Sequence, residues 1–213
     1  SITVNKPGCV AALETLKGMK DAGVLAAGNW DEKIQSNNAG TVATQMYGGW
    51  YEGTVRSTAP EDQAGKWGVY AMPSMSAEGN HAANLGGSSL AIASTSDSPE
   101  AAFAFLKHAL TTNEGQVKML KEYGLVPSLL TAVDDPYVAE TQAFWGDQAV
   151  WQTILETLPR VAPSRGTAFF GDADGIMRTV QTGYLNGSYE SAQAALDDAA
   201  HQIELVTGLQ IAQ

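Results

Sequence analysis

Cysteine, positive charge and long apolar runs are all scarce in this sequence. Its single cysteine, Cys9, excludes an internal disulfide. One cysteine and three dispersed histidines offer no metal-ligand spacing. Lysine and arginine together number 12 against 23 acidic residues, for a net charge of −11. No basic cluster relieves that balance locally, so the chain repels phosphate backbones and anionic lipid, and nucleic acid is not an expected partner. No apolar run approaches the roughly 18–20 residues that cross a bilayer. Hydrophobic residues at 44% and charged ones at 16% are the proportions of a chain that buries a core. The first residue is Ser1, and no charged-then-apolar leader precedes the first helical pattern. The expectation is a processed or truncated piece, and its 213 residues allow one large domain or two small ones.

Helical patterns dominate. Pro7 stands at a first helical position, followed by Val10, Leu13, Leu16 and Met19 or Lys20, with Gly23 as the stop. WDEKIQSNNAG predicts a second helix ending at Gly40. Ser98-Pro99-Glu100 is a helix start, with Phe103, Leu106 and Leu110 as its expected buried stripe. Thr111 and Glu114 suggest a capping box for the next helix, which Gly124 ends. Asp135-Pro136 opens a helical region broken at FWGDQ and resumed to Pro159, and ADGIMRTVQTGYLNG is helical. The last helix puts Ala192, Ala195, Leu196, Ala199, Ile203 and Val206 on one face, with Gly208 beyond its end. Three strands are expected, TVATQMY, GKWGVYAMP and SLAIAS. They are too few for an independent doubly wound sheet, which places partner strands upstream of Ser1.

The stretch NLGGSSLAIAS raises the question of chemistry, because bare backbone and hydroxyls stand at the mouth of a predicted strand. A serine nucleophile elbow needs Gly-x-Ser-x-Gly, and Leu90 follows Ser88-Ser89. The bases would be His81, His108 or His201, two of them mid-helix. A phosphate loop needs a Gly-Lys-Ser/Thr ending or Gly-x-Gly-x-x-Gly, and GGWYEG supplies neither. The carboxylate pairs Asp134-Asp135 and Asp197-Asp198 are adjacent, as helix starts and solvated faces are.

Aromatic residues remain. Trp50 and Tyr51 follow a predicted strand and the Gly48-Gly49 pair, Trp145 stands beside Gly146, and Phe169-Phe170 precede Gly171-Asp172. Each ring alone reads as core packing. Their repeated pairing with glycine and polar neighbours at element ends favours a shared ligand wall. A pyranose suits such a wall, since its C–H face covers an indole while its hydroxyls need fixed donors and acceptors. Stacking contributes about 1 kcal/mol beyond area burial, by analogy with aromatic pairs. Each hydrogen bond adds about 0.5–1.5 kcal/mol. One or two tryptophans with several such bonds reach micromolar binding, roughly −8 kcal/mol.

VAALETLKGMKDAGV, NNAGTVATQMYGGWY, GKWGVYAMP, ANLGGSSLAIAS, SPEAAFAFLKHALTTNEGQVKMLKEYGLVPS, FWGDQAVWQTI and AQAALDDAAHQI occur in an order that resembles one family. It is the maltodextrin-binding-protein-like solute-binding proteins (extracellular family 1) of ABC sugar transporters. The likeness runs along nearly the whole chain and covers about the second half of such a protein. PEAAFAFLKHALTTNEGQ is its most characteristic part.

The resemblance implies an α/β fold of the periplasmic-binding-protein-like type II class, with two lobes closing on ligand by a hinge and here lacking the N-terminal half. Residues 1–83 and 133–213 would belong mainly to the C-terminal lobe, and residues 84–132 would hold a crossing strand and helices of the N-terminal lobe. Gly86 and Gly87 would let the backbone run along the cleft floor, where peptide groups and Ser88 meet ligand hydroxyls; they also permit a strand simply to cross between lobes, and both can hold. Trp50 matches the family's sugar-stacking tryptophan, with Tyr51 beside it. Trp145 matches a segment usually written with two glycines, the second here being Asp147. Arg165 and Asp172 lie in a loop that often faces the cleft.

The implied function is non-catalytic: binding a sugar or oligosaccharide and delivering it to a membrane permease, without cofactor or metal. The implied location is periplasmic or extracellular and cell-envelope associated, with no membrane insertion by these residues. By itself the chain is expected to bind sugar weakly or not at all. The alternatives are the same fold holding glycerol phosphate, a polyamine or a peptide, with Arg165 or acidic residues in charge of it. A glycan-active enzyme would need two carboxylates about 5–10 Å apart, drawn from Asp147, Asp172 and Asp174.

Overall fold

Lys6, extended at φ −77° and ψ 157°, and Pro7 at the first helical position start α1 (Pro7–Asp21). Ser191 starts α8 (Ala192–Thr207): its side chain accepts from the Ala194 N–H at 3.0 Å, and Gly208 ends the helix in the left-handed region. α7 (Phe170–Leu185) packs against both of them. The structure, a computed structural model, describes every residue except Ala27, Ala77, Ser164, Arg165 and Gln213. It divides into two units, Ser1–Ala27 with Arg165–Gln213, and Gly28–Ser164. The lobe boundaries implied by the resemblance, near residues 83 and 133, both lie within the second unit.

The first unit packs α1, α7 and α8. Leu13, Val180, Ala192, Ala195, Leu196 and Ala199 form its buried core. Alanine at helical spacing lets the α8 backbone approach α7 closely, so dispersion contacts of many small groups replace a few large ones. A second cluster joins Ile2, Ala200 and Ile203. Over it the two ends of the chain meet, with the Ile2 N–H on the Gln210 carbonyl at 2.9 Å and the Ala212 N–H on the Ile2 carbonyl at 2.8 Å. Lys20 donates to the Leu185 carbonyl at 2.7 Å and to Asn186 Oδ1 at 2.8 Å, which places a cation at the negative end of α7. The expected α8 face is correct through Ile203. Val206 is exposed, so the stripe ends one turn early.

The second unit holds α2 (Trp30–Asn38), α3 (Tyr51–Thr58), α4 (Pro99–Thr111), α5 (Asn113–Tyr123) and α6 (Val150–Leu155), joined by short 3-10 turns and non-helical segments. Asn29 and Glu32 cap α2 reciprocally. The cap of α5 is Thr112 rather than Thr111: its hydroxyl accepts from the Gly115 N–H at 3.1 Å. Ser98 precedes α4 without a side-chain cap. The buried stripe expected on α4 is half right. Leu106 and Leu110 are half-buried, whereas Phe103 is 61% and Phe105 67% exposed.

The α/β expectation is corrected in one respect. Among the described residues no strand ladder forms; two isolated bridges, Ile2 with Ile211 and Gln142 with Gln148, are all the β pairing present. The predicted strands 41–47, 65–73 and 89–94 are not helical but lack ladder partners, and Gly65, at φ +80°, lies in a turn. At Val69 a side chain does a neighbouring strand's work. Gln148 accepts from the Val69 N–H at 2.8 Å and donates to its carbonyl at 2.6 Å.

The sequence pattern assigns no element to the segment that forms α3. Gly53 fixes how that helix packs: a Cβ there would overlap the Tyr123 carbonyl oxygen, so only glycine lets α3 lie this close to the end of α5.

Candidate functional site

Four aromatic rings meet at the junction of α2, the segment 41–47 and the start of α3. Trp30 comes from the first turn of α2, Tyr47 from that segment, and Trp50 and Tyr51 from the entry to α3. Tyr47 and Tyr51 stack with centroids 4.4 Å apart at 23°. Trp30 and Trp50 lie 6.1 Å apart at 29°. The remaining pairs are edge-to-face, with Trp30 5.8 Å from Tyr51 and Trp50 6.0 Å from Tyr51. These are the offset and perpendicular arrangements that ring quadrupoles favour, each contributing about 0.5–1.5 kcal/mol beyond area. Trp30 remains 43% exposed and Trp50 half-buried.

A polar scaffold fixes the cluster from behind. Asn37, buried in α2, donates to the Tyr51 hydroxyl at 2.7 Å, and Gln45 donates to Asn37 Oδ1 at 2.6 Å. Burial raises the Tyr51 pKa above that of an ordinary phenol, and Tyr47 adds to the rise, while the Asn37 hydrogen bond opposes it. Tyr51 therefore stays a neutral phenol at physiological pH. The Lys33 ammonium lies 6.0 Å from the Tyr47 centroid.

The glycine-rich segment reaches this cluster directly. The Trp50 indole N–H donates to the Leu85 carbonyl at 2.9 Å. Gly86 and Gly87 follow at φ +98° and +105°, and a Cβ on Gly86 would stand 3.0 Å from the Trp50 indole nitrogen. Residues 83 to 91, Ser88 included, are exposed. An indole and an accessible peptide edge thus share one surface.

The other expected site residues are distributed differently. Tyr51 is buried behind Trp50. Trp145 belongs to the same hydrophobic cluster, together with Tyr51, Val55 and Val150, and is only 4% exposed. Its N–H donates to Glu52 Oε1 at 3.0 Å, and Phe144 packs edge-on at 5.2 Å. In this arrangement Trp145 supports the aromatic wall from inside and presents no face to a ligand. Glu52, its side chain 1% exposed, also takes the Arg56 Nε–H at 2.9 Å. Asp147, in the second glycine's place, has φ +58° beside Gly146 at +64°. Asp172 is exposed in the first turn of α7, in the other unit. Arg165 lies outside the described residues.

Sequence reasoning missed Trp30. The signal was present as an aromatic at a helix N-terminus, directly after the capping Asn29, but nothing local ties it to Trp50. Among the described residues no group of three or more His, Cys, Asp or Glu could hold a metal ion, and no helix is long and apolar enough to cross a membrane.

Comparison with known proteins gives two findings. Residues 1–145 match the family model described as bacterial extracellular solute-binding protein. The chain is 33% identical over 178 residues to a protein named lactose-binding protein from Rhizobium radiobacter. That alignment takes in 82% of this chain and 42% of the relative, so the chain spans less than half the relative's length.

Proposed function

This chain belongs to the bacterial extracellular solute-binding proteins, and on that premise we propose that it is the part of an ABC importer's binding protein that holds a sugar or oligosaccharide. The observation that carries the reading is the contact between the Trp50 indole and the Leu85 carbonyl, which brings a flat apolar face to an exposed run of peptide groups and Ser88. Trp30 extends the apolar face. A pyranose stacks on the indoles and directs its hydroxyls to the Gly86-Gly87-Ser88 edge. The name of the relative, a lactose-binding protein, supports a saccharide over other solutes. Lys33, whose ammonium lies at Tyr47, counts against a polyamine.

In this reading residues 1–83 and 133–213 contribute mainly to one lobe and 84–132 to a crossing strand and the other lobe. The ligand sits in a cleft outside the cytoplasm, and the closed protein delivers it to a membrane permease. Trp145 and Tyr51 hold the wall in place, while Asp172 and Arg165 remain candidates on the resemblance alone.

Indole N–H resonances test the ligand class. Lactose, maltose, putrescine and glycerol phosphate are titrated separately into the isotopically labelled chain. The expected result is that a disaccharide shifts the Trp50 and Trp30 signals, with a dissociation constant in the millimolar range, about −4 kcal/mol. Shifts caused by putrescine or glycerol phosphate but not by either sugar would replace the saccharide with that solute class.

A further inference from the structure

A second depression lies on the same unit, beside Trp67, and the aromatic wall does not use it. Its open volume is about 340 Å³, at the small end of ligand sites. Trp67 stands in the segment 65–73, half-buried, with its indole N–H held by Gln63 Oε1 at 3.1 Å. That bond fixes the ring's edge and orients it beside four polar side chains. Gln63 donates one amide proton to the Asn38 carbonyl at 2.6 Å and keeps the other, with one lone pair on Oε1. Asn37 gives one proton to Tyr51 and accepts from Gln45, which leaves its second proton. At the rim Asp62 and Lys66 face each other at 3.6 Å, both exposed. Along the opposite side run Val42 and Ala43, and the Ala43 peptide N–H has no backbone acceptor among the described residues.

We propose that this depression is a second binding site, for a neutral polyhydroxylated ring of about one hexose. The chemistry selects the class. The paired Asp62 carboxylate and Lys66 ammonium largely cancel in net charge and so favour neither sign of ligand, whereas a hydroxyl is both donor and acceptor and satisfies each in turn. The unused amide protons of Gln63 and Asn37 and the bare Ala43 N–H supply donors, and the Trp67 ring covers an apolar face. Asn37 also connects the depression to the wall, because its other amide proton lies on the Tyr51 hydroxyl. The site stands on its own geometry and does not require sugar at Trp50.

The test uses the same indole resonances, assigned by single tryptophan-to-phenylalanine variants among the five tryptophans, with galactose, glucose and myo-inositol as probes. The Trp67 signal is expected to shift saturably, and to do so equally in Trp50→Ala. Asp62→Asn and Lys66→Gln, both at exposed positions, each weaken that shift about threefold to tenfold, the loss of one hydrogen bond. A Trp67 signal that stays still while Trp50 responds overturns the depression and leaves the wall intact. If both stay still, both readings fall. A Trp67 response to inorganic phosphate or putrescine, without one to the neutral rings, overturns the ligand class.

Discussion

The two units are built from opposite materials. Ser1–Ala27 with Arg165–Gln213 is held by small side chains: four of the six buried residues in its main cluster lie on α8, and three of those four are alanine. Gly28–Ser164 is held by rings and buried polar groups, with Tyr51, Trp145, Asn37 and Glu52 all inside. An alanine interface is tight and chemically silent, since it offers neither donor nor flat face. An aromatic and amide interior is costlier to satisfy, because each buried polar atom needs a partner. It also carries those groups outward, to Trp30, Trp50 and Trp67. The contrast separates a unit packed by alanine from one whose rings and polar groups continue to its surface.

Truncating the aromatic interior gives the largest expected effect. Trp145→Ala removes a buried indole and one of the two donors to Glu52 Oε1. It is expected to lower stability by about 3–5 kcal/mol. Hydrogen exchange should show the loss in amides of Gly28–Ser164, with α8 unchanged; equal loss in both units would erase the distinction drawn between them.

Overfilling the alanine interface is next. Ala195→Leu forces three extra heavy atoms between α8 and its neighbours at a fully buried site, at a cost of about 1–3 kcal/mol. Urea unfolding followed by α8 amides measures it, and a neutral result would mean that the interface is looser than its burial implies.

The smallest effect is a pH response. Tyr51 has a folded pKa above its unfolded value, so the folded state holds the phenolic proton more tightly. Its contribution is fully present below the unfolded pKa of about 10 and is lost as pH rises through the folded pKa. Tyr51→Phe is expected to reduce stability by about 1 kcal/mol near neutrality, through the abandoned Asn37 donor. It should also flatten the decline above pH 10. An unchanged alkaline slope would assign that decline to other tyrosines.

Local signals made much of this legible. Pro7, Gly124 and Gly208 mark helix ends where they were expected, and the α8 face follows from its spacing through Ile203. The failures share a cause, which is that the deciding contact is distant in sequence. YEGTVRST carries glycine and β-branched residues that favour other structures, and as a helix it packs with Gly53 against Tyr123. Phe103 falls on a sound periodic stripe, yet α4 has too little packed against it to cover that stripe. That 65–73 forms no helix could be read from composition, but the absence of a neighbouring strand could not. For the site, Trp50 and Gly86 were legible as glycine-flanked positions. Trp30 and the inward turn of Trp145 were not, because each depends on partners from another element.

Gln148 deserves a last consequence. By occupying both peptide groups of Val69, one amide side chain acts as a stopper on an otherwise open segment. Bare edges of that kind invite a foreign chain to zip alongside and seed aggregates. A single glutamine therefore keeps the neighbourhood of Trp67 from serving as such a template, and a substitution there would be felt first as lost solubility.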